Sequence, residues 1–395
     1  MIVLTLFFIS LFFLFYIYGG YYLLLKLISF FSGKVASLYS DKISTEKEPE
    51  TKYLPVTIYL SAYNEEGVIK KRLHNLIELD YPRELVEILI ISDGSTDRTV
   101  DEVSEFIQSN PSADIKLFAF EDNQGPARAQ NLAAQRARHD ILISTGAHTV
   151  FSKDLLKEII KDFRRPEVGV VGGRVEYISK GSPIGSSYRT YRGLERNIRI
   201  LETALNICVK TDGACTAYRK KIWEHINPYE DVDQVIPLVA RKKGYLTVHN
   251  DRAVTYDMAN LTRKQEIHSR ARMTRKALFS ICARWHLGDI MKYPLFSFAL
   301  FSHKVLRFFS PLYILIAIFT GVVVSIRLNF IWEALALSGL FISTLKAVEI
   351  MKIPLLKSLW PYLVSFVYAN TGFMLGIIQW LSGNREGRFR PTRRY

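Results

Sequence analysis

This sequence has few cysteines and lacks two common nucleotide-binding motifs. Three cysteines (Cys208, Cys215 and Cys282) are too few to staple a chain of 395 residues, and no C-x-x-C pair occurs. A disulfide scaffold is therefore excluded, and a zinc cluster has little support. The sequence also contains neither G-x-G-x-x-G nor a Walker motif, so a dinucleotide site or a P-loop has little support.

Acidic residues are in deficit. The 38 Asp and Glu residues face 52 Lys and Arg residues, which gives a net charge of +14. The hydrophobic share of 49% and the aromatic share of 13% exclude a disordered chain. A mean hydropathy of +0.08 predicts a chain that is partly soluble and partly in a membrane. Basic residues beside membrane segments are expected from membrane electrostatics. The charge therefore favours membrane lipids over nucleic acid as partners, and it leaves the oligomeric state open.

Apolar residues are concentrated at the two ends of the chain. Residues 1–31 are predicted to form a transmembrane anchor, because the first charged side chain is Lys26 and about 20 apolar residues cross a bilayer. The missing basic start argues against a cleaved signal peptide. A linker (32–54) is predicted to lead into a globular domain (55–290).

Residues 291–310 have mixed character. His303, Lys304 and Arg307 occur there among Phe and Leu side chains. This pattern predicts an interfacial amphipathic helix whose cations point to lipid headgroups.

Residues 311–384 are predicted to contain three transmembrane helices, of which the second carries Glu333. The protein is therefore predicted to be a multi-pass protein of the cell membrane. The positive-inside rule places the basic globular domain in the cytoplasm. Three later crossings then place the basic tail (385–395) on the far side, although its arginines favour the cytoplasm. The sequence leaves this conflict open.

The globular domain has the pattern of an α/β fold. Apolar stretches of strand length alternate with helical periodicity, as expected for a parallel sheet covered by helices on both faces. The predicted strands are 56–60, 86–91, 115–120 and 141–144.

Ligands of such sheets bind beyond the carboxyl ends of the strands. Three loops follow predicted strands in this way: 62–67, 92–97 and 145–149. Asp93 stands at the strand end itself, before a glycine turn, which favours a functional role. Asp97 is interpreted as a helix cap.

Five segments in order carry a resemblance to a known family. They are Val56-Thr-Ile-Tyr-Leu-Ser-Ala-Tyr-Asn-Glu-Glu, Ile90-Ile-Ser-Asp-Gly-Ser-Thr-Asp, Asn123-Gln-Gly-Pro-Ala-Arg-Ala-Gln-Asn, Thr211-Asp-Gly-Ala-Cys-Thr-Ala-Tyr-Arg-Lys and Glu230-Asp-Val-Asp. Together they resemble the family 2 glycosyltransferases, membrane-bound enzymes with a Rossmann-like nucleotide-sugar-binding domain of the GT-A fold. The resemblance covers about residues 55–275 and implies an α/β GT-A domain with flanking transmembrane helices.

The resemblance implies a donor site for a UDP-sugar. Asp93 is expected to hydrogen-bond the uracil, because a carboxylate accepts from the ring N–H. The other donor-binding residues implied by the matching segments are Ala62, Glu65, Gly94, Arg128, Gly146 and His148. On the acceptor or diphosphate side the matching loop contributes Asp212 and Gly213.

The reaction implied is attack of an acceptor hydroxyl on the anomeric carbon with inversion, for which a general base is required. The acidic segment offers Glu230, Asp231 and Asp233. The Glu-Asp pair favours Asp231, whereas the interval to Gly244 favours Asp233 slightly. Charges that stabilise a helix start are the alternative.

The donor loop departs from the family pattern. Gly146 and His148 stand where the family has Asp-x-Asp to hold a divalent cation. This loop suits Mg²⁺ poorly, whereas an imidazole favours Mn²⁺. Three interpretations stay open: Mn²⁺ bound through His148 and phosphates, metal-independent catalysis with cationic side chains, or a domain that no longer catalyses.

A second departure lies before the C-terminal helices. Where the family often has Gln-x-x-Arg-Trp, this chain has Ser269-Arg-Ala-Arg-Met. Arg272 matches the family arginine, and helical spacing places Arg275 on the same face. The two are predicted to clamp diphosphate oxygens, with a basic helix on anionic headgroups as the alternative.

The sequence thus predicts a membrane-bound inverting glycosyltransferase with a nucleotide-sugar donor and a lipid-linked or glycan acceptor. The alternative is a non-catalytic family member that binds nucleotide sugar or acts as a partner subunit.

Overall fold

The computed structural model describes residues 1–33, 53–178, 183–258, 262–330 and 360–387. Most of the predicted linker, the predicted helix that carries Glu333 and the last part of the basic tail lie outside the described residues.

An eight-stranded sheet forms the centre of the globular domain, in the order β3-β2-β1-β4-β7-β6-β8-β5. The first four positions are parallel, as the alternating pattern predicted. The next three pairings are antiparallel, antiparallel and parallel, and the edge strand β5 is antiparallel. The strands are β1 (Val56–Ala62), β2 (Val86–Asp93), β3 (Asp114–Phe120), β4 (Ile141–Gly146), β5 (Val150–Phe151), β6 (Val168–Ile178), β7 (Thr216–Arg219) and β8 (Leu246–Met258).

Helices cover both faces of this sheet. Because side chains alternate along a strand, Ile58 packs into one apolar core and Tyr59 into the other. The helices of the domain are α3 (Ile69–Ile77), α4 (Thr99–Ser109), α5 (Pro126–Arg136), α6 (Leu155–Phe163), α7 (Pro183–Ala204), α8 (Val232–Lys242) and α9 (Arg263–Arg284). The two buried cores fix the carboxyl ends of β1, β2 and β4 at one edge of the sheet.

Three described helices are long and apolar enough to cross a membrane: Ile2–Phe31, Ser310–Arg327 and Val364–Leu381. The first comprises α1 (Ile2–Phe15), a π turn (Tyr16–Gly20) and α2 (Tyr21–Phe31). The other two belong to α13 (Ser310–Arg327) and α14 (Trp360–Leu381). Tyr18 and Asn370 tie all three together, because each is hydrogen-bonded to the other and to Ser310.

Glycines bring α14 against α9. A Cβ added at Gly372 would lie 2.5 Å from Arg270 Cβ, and one at Gly376 would lie 2.6 Å from the Ala271 carbonyl oxygen. Small residues four positions apart allow this close approach of two helix backbones. The apolar helix α14 is thereby fixed to the globular domain.

The prediction of cations that point to headgroups from residues 291–310 is wrong. This stretch forms α10 (Leu287–Lys292), α11 (Pro294–Leu300), a π turn (Phe301–Val305) and α12 (Leu306–Phe308). His303, Lys304 and Arg307 are all buried. His303 bonds Glu202 and Glu195, and Arg307 pairs with Glu195. The amphipathic face meets acids of α7 instead of lipid.

The start of the tail lies against the globular domain. Arg275 donates to Asn384 Oδ1 and to the Glu386 carbonyl oxygen, both at 2.8 Å. The Arg385 guanidinium stacks over the Tyr229 ring at 5.1 Å. The start of the tail is therefore packed on the globular domain.

Candidate active site

A cavity of about 300 Å³ opens at the carboxyl edge of β1, β2 and β4. All three loops predicted at this edge contribute to it. Six predicted site residues line it: Glu65, Asp93, Gly146, His148, Gly213 and Arg272. The parallel strands bring together the loops that carry Glu65, Asp93 and His148, and a later loop and helix α9 add Gly213 and Arg272.

Asp93 organises one wall of this cavity. Its two carboxylate oxygens accept from the backbone N–H groups of Gln124 (3.0 Å) and Gly125 (2.7 Å). Gly94 has a φ of +73°, and a Cβ there would lie 2.4 Å from the Asn123 backbone nitrogen. Only glycine therefore allows the turn after β2 to approach this loop so closely. The motif fixes the Asp93 carboxylate at the cavity.

Two predicted donor residues support the wall from behind. Ala62 ends β1 and is fully buried. The Arg128 guanidinium stacks over the Phe120 ring at 4.1 Å. Neither side chain is among those that line the cavity.

The donor loop is joined to the loop after β1. His148 Nε2 lies 2.9 Å from Glu65 Oε2, and the Glu65 side chain is almost fully buried. Behind this loop the buried Arg72 donates to Thr145 Oγ1 at 3.0 Å. The imidazole at the second family carboxylate position is therefore held by a neighbouring carboxylate.

The contacts of Glu230 argue against a catalytic role for this residue. Its carboxylate receives two hydrogen bonds from Arg284 (2.7 and 2.8 Å) and two from Asn227. The residue is fully buried. Because both oxygens are engaged, Glu230 is a structural anchor between the acidic segment and α9.

Asp231 and Asp233 differ in environment. Asp231 Oδ1 lies 2.8 Å from the buried Lys276 Nζ, in a direct ion pair. Asp233 accepts from Gln234 Nε2 at 2.9 Å. Burial and the nearby Asp231 carboxylate raise the pKa of Asp233 to about 6. A carboxyl with a pKa near the working pH is suited to general-base catalysis.

Residues 211–215, here called the acceptor-side loop, border the cavity. Gly213 and Ala214 line the cavity, whereas Asp212 lies 3.9 Å from Arg199 in a buried ion pair. On α9, Arg272 lines the cavity. Arg275 is bound to the tail as described above, so the predicted clamp of two arginines is reduced to Arg272.

Sequence reasoning missed Asp257, which lines the cavity from β8. It lies near the end of a strand that pairs with β6, about 80 positions earlier in the chain. No local motif marks it, so the sequence alone offers no signal for it.

The donor loop does not fit a protein-held divalent cation. No group of three His, Cys, Asp or Glu side chains suited to a metal occurs in the described part of the chain. Gly146 supplies no ligand atom. His148 Nε2 and Glu65 Oε2 lie 2.9 Å apart, so these two atoms contact each other.

Comparison with known proteins agrees with this geometry. Residues 57–226 match the family model described as Glycosyl transferase family 2. The poly-beta-1,6-N-acetyl-D-glucosamine synthase of Staphylococcus epidermidis is 28% identical over 190 residues, 47% of this chain and 44% of that protein. Its Staphylococcus aureus (strain MSSA476) counterpart is 27% identical over the same shares. The match thus spans less than half the length of these relatives.

Among solved structures, the mannosyltransferase PcManGT from Pyrobaculum calidifontis, in complex with GDP-Man and Mn²⁺, superposes with a TM-score of 0.66. The two are 18% identical, over 92% of this chain and 98% of that one. A likeness at this identity shows the fold alone. The prediction of a GT-A-like α/β fold is confirmed.

Proposed function

Because residues 57–226 belong to glycosyltransferase family 2, we propose that this protein is a membrane-bound inverting glycosyltransferase. It transfers a sugar from a nucleotide sugar, a UDP-sugar by its motifs, to an acceptor. The observation that carries the proposal is the cavity at the carboxyl edge of the sheet, where Asp93 and Arg272 face the same space. Asp93 is suited to bind a nucleobase, and Arg272 is suited to bind a phosphate.

The nucleobase of the donor binds at Asp93. The carboxylate already accepts two backbone N–H groups, but its oxygens together have about four lone-pair sites. Two sites therefore remain for the ring N–H of uracil. The rigid turn at Gly94 orients the carboxylate before the donor arrives.

Asp233 is the general base. An acceptor hydroxyl attacks the anomeric carbon from the face opposite the diphosphate, and its proton passes to the Asp233 carboxylate. The raised pKa of Asp233 makes this carboxylate a stronger base than an ordinary aspartate while it is still mostly ionised at pH 7. Asp231, held by Lys276, raises that pKa and is not itself the base.

Arg272 stabilises the leaving diphosphate. A guanidinium can bind two phosphate oxygens at once and keeps its charge at any physiological pH. With the Glu65–His148 pair in place of two free carboxylates, we propose that donor binding and turnover do not require a divalent cation.

The catalytic domain and the start of the tail lie in the cytoplasm in this proposal. The positive-inside rule favours that side for a basic domain, and the contacts of Arg275 with Asn384 and Glu386 support the same side for the start of the tail. The donor nucleotide then comes from the cytoplasm, and the flanking helices hold the domain at the membrane.

A donor panel tests the proposal. The full-length chain in membranes is incubated with UDP-sugars and GDP-mannose, in EDTA, Mn²⁺ or Mg²⁺, and release of nucleoside diphosphate is measured. We expect one donor to be consumed, with turnover retained in EDTA and lost in Asp233→Asn. Turnover that appears only with Mn²⁺ would contradict the metal-independent part alone.

A second function is favoured by the donor loop, where Gly146 and His148 replace the family carboxylates. It is a subunit that binds nucleotide sugar without transferring it. Calorimetric binding of UDP-sugars, with no release of nucleoside diphosphate from any of them, would support this function over the first.

A further inference from the structure

A second cavity lies behind the acceptor-side loop. Both charged and apolar residues line it. Its principal lining residues are Lys210, Gln234, Arg270, Lys304, Phe308 and Phe373.

This second cavity shares its walls with the donor cavity. Lys210 lines the second cavity, and Gly213, three residues later, lines the donor cavity. On α9, Arg270 and Met273 line the second cavity, whereas Arg272 between them lines the first. One loop and one helix thus contribute residues to both cavities. Ligands bound in the two cavities would meet beside these residues.

Asp233 lies close to the second cavity. Its neighbour Gln234 lines that cavity. The charges of Lys210, Lys304 and Asp212 all act on the Asp233 carboxylate. Two lysines of the second cavity therefore lie near enough to the proposed general base to act on its charge.

Two ammonium groups in this cavity have no ion-pair partner among the described residues. Arg270 pairs with Glu266 at 2.6 Å, and Arg307 pairs with Glu195. Lys210 and Lys304 form no such pair, although they are only 7% and 6% exposed. Burial and the adjacent Lys210 lower the pKa of Lys304 well below its usual value. The Asp233 carboxylate acts on both lysines, and a second anion bound beside them would balance the second positive charge.

Apolar residues also line this cavity. They include Met273 and Ala277 of α9, Phe308 of α12 and Phe373 of α14. Helix α14 is one of the three helices apolar enough to cross a membrane. Lys304 lies 5.9 Å from the centre of the Phe308 ring, and Arg270 lies 5.9 Å from that of Phe373. Cations beside apolar side chains suit a ligand with a charged head and an apolar chain.

We propose that the second cavity is the acceptor site and that it binds a lipid phosphate, with Lys210 and Lys304 on the phosphate and the apolar chain along Phe308 and Phe373. This inference rests on the proposed function, since it names the acceptor class of the same transfer. A phosphate monoester carries between one and two negative charges near pH 7, which matches two ammonium groups.

The transfer then balances as follows. An oxygen of the lipid acceptor forms a bond to the anomeric carbon, and the bond from that carbon to the diphosphate breaks. The electron pair of the broken bond leaves with the nucleoside diphosphate. Where the attacking phosphate oxygen carries a proton, that proton passes to Asp233.

Dodecyl phosphate is the probe for this site. Calorimetric titration of the full-length chain in neutral detergent compares it with dodecanol and with inorganic phosphate, which separate the chain from the head. We expect dodecyl phosphate to bind at least tenfold more tightly than either. Lys210→Gln and Lys304→Gln should each weaken it tenfold or more, and Lys304→Arg should restore most of the affinity.

Lys292→Gln is the matched control, because Lys292 is an exposed lysine of α10 in the same region, and it should bind like wild type. UDP binding reports on folding and should be unchanged in every variant. Equal wild-type affinity for dodecyl phosphate and dodecanol would overturn the proposal. So would unchanged affinity in both glutamine variants, or equal competition by phosphatidylglycerol vesicles, which would indicate a bulk-lipid contact.

Failure of the proposed function looks different. If no donor is turned over but dodecyl phosphate still binds through the two lysines, the chain holds a lipid phosphate without transferring sugar to it. If turnover occurs with a neutral glycan acceptor and the lysine variants leave it intact, the transferase proposal stands and the lipid-phosphate acceptor is wrong.

Discussion

The variant Asp233→Asn tests two properties of the Asp233 carboxyl: its proposed role as general base and the effect of its charge on stability. Burial and Asp231 raise its pKa from the ordinary 3.8 to about 6. Because the folded pKa is the higher one, the folded state is stabilised by the proton at low pH and loses that stability as the pH rises through about 6. At about 1.4 kcal/mol per pKa unit, the ionised carboxylate costs the folded state about 3 kcal/mol at pH 7.

Asparagine carries no charge. The variant therefore removes both the destabilisation by the ionised carboxylate and the proposed general base. Thermal unfolding in detergent should show Asp233→Asn to be more stable than wild type at pH 7.5, with the difference gone near pH 4. Turnover at pH 7.5 should fall by about 10²- to 10⁴-fold, the usual contribution of a general base. In wild type, kcat/KM should decline below pH 6 as the carboxylate is protonated.

Asp231→Asn is the matched control. It leaves the buried Lys276 without its partner at 2.8 Å, so this variant should be less stable than wild type. It also removes the like charge that raises the pKa of Asp233, and the midpoint of the kcat/KM profile should move below pH 6. Full turnover in Asp233→Asn, or a stability loss there at pH 7.5, would refute the reasoning.

Three further predictions concern the walls of the site. Asp93→Ala should weaken UDP binding at least tenfold in calorimetry, since it removes the charged acceptor of the nucleobase; unchanged affinity would contradict its role. Gly376→Leu should lower the unfolding temperature, because its side chain meets the α9 backbone within 3 Å, whereas Gly193→Ala, in open space, serves as control. The double variant Gly146→Asp/His148→Asp should make donor binding depend on Mn²⁺, tested by titration in EDTA; EDTA-resistant binding would contradict it.

The half of the fold that precedes residue 146 was predictable from local pattern. Strands β1 to β4 are apolar runs bounded by turn residues, and β1, β2 and β3 are each followed by a segment with helical periodicity. Parallel strands buried on both faces leave this signature. The loops after them then had to meet at one edge, which is why Asp93, Glu65 and His148 could be expected together.

The later half depends on contacts that no local pattern reveals. β6 pairs with β8 across about 80 residues, and this pairing is what brings Asp257 to the cavity. Likewise, the polar face of residues 303–307 is visible in the sequence, but the glutamates that meet it belong to α7. Amphipathicity shows that a face needs polar partners and does not show whether lipid or protein supplies them.

Each of the two cavities is lined by positively charged side chains. On the donor side, Arg272 faces the space where a diphosphate would leave, and the family carboxylates are replaced by a hydrogen-bonded Glu65–His148 pair. On the other side, Lys210 and Lys304 face the space where an acceptor would enter. Asp233 is the carboxylate on which both lysines act. In the proposed reaction, Arg272 would stabilise the anionic donor and the two lysines the anionic acceptor, and the lysines would also favour the ionised form of the base.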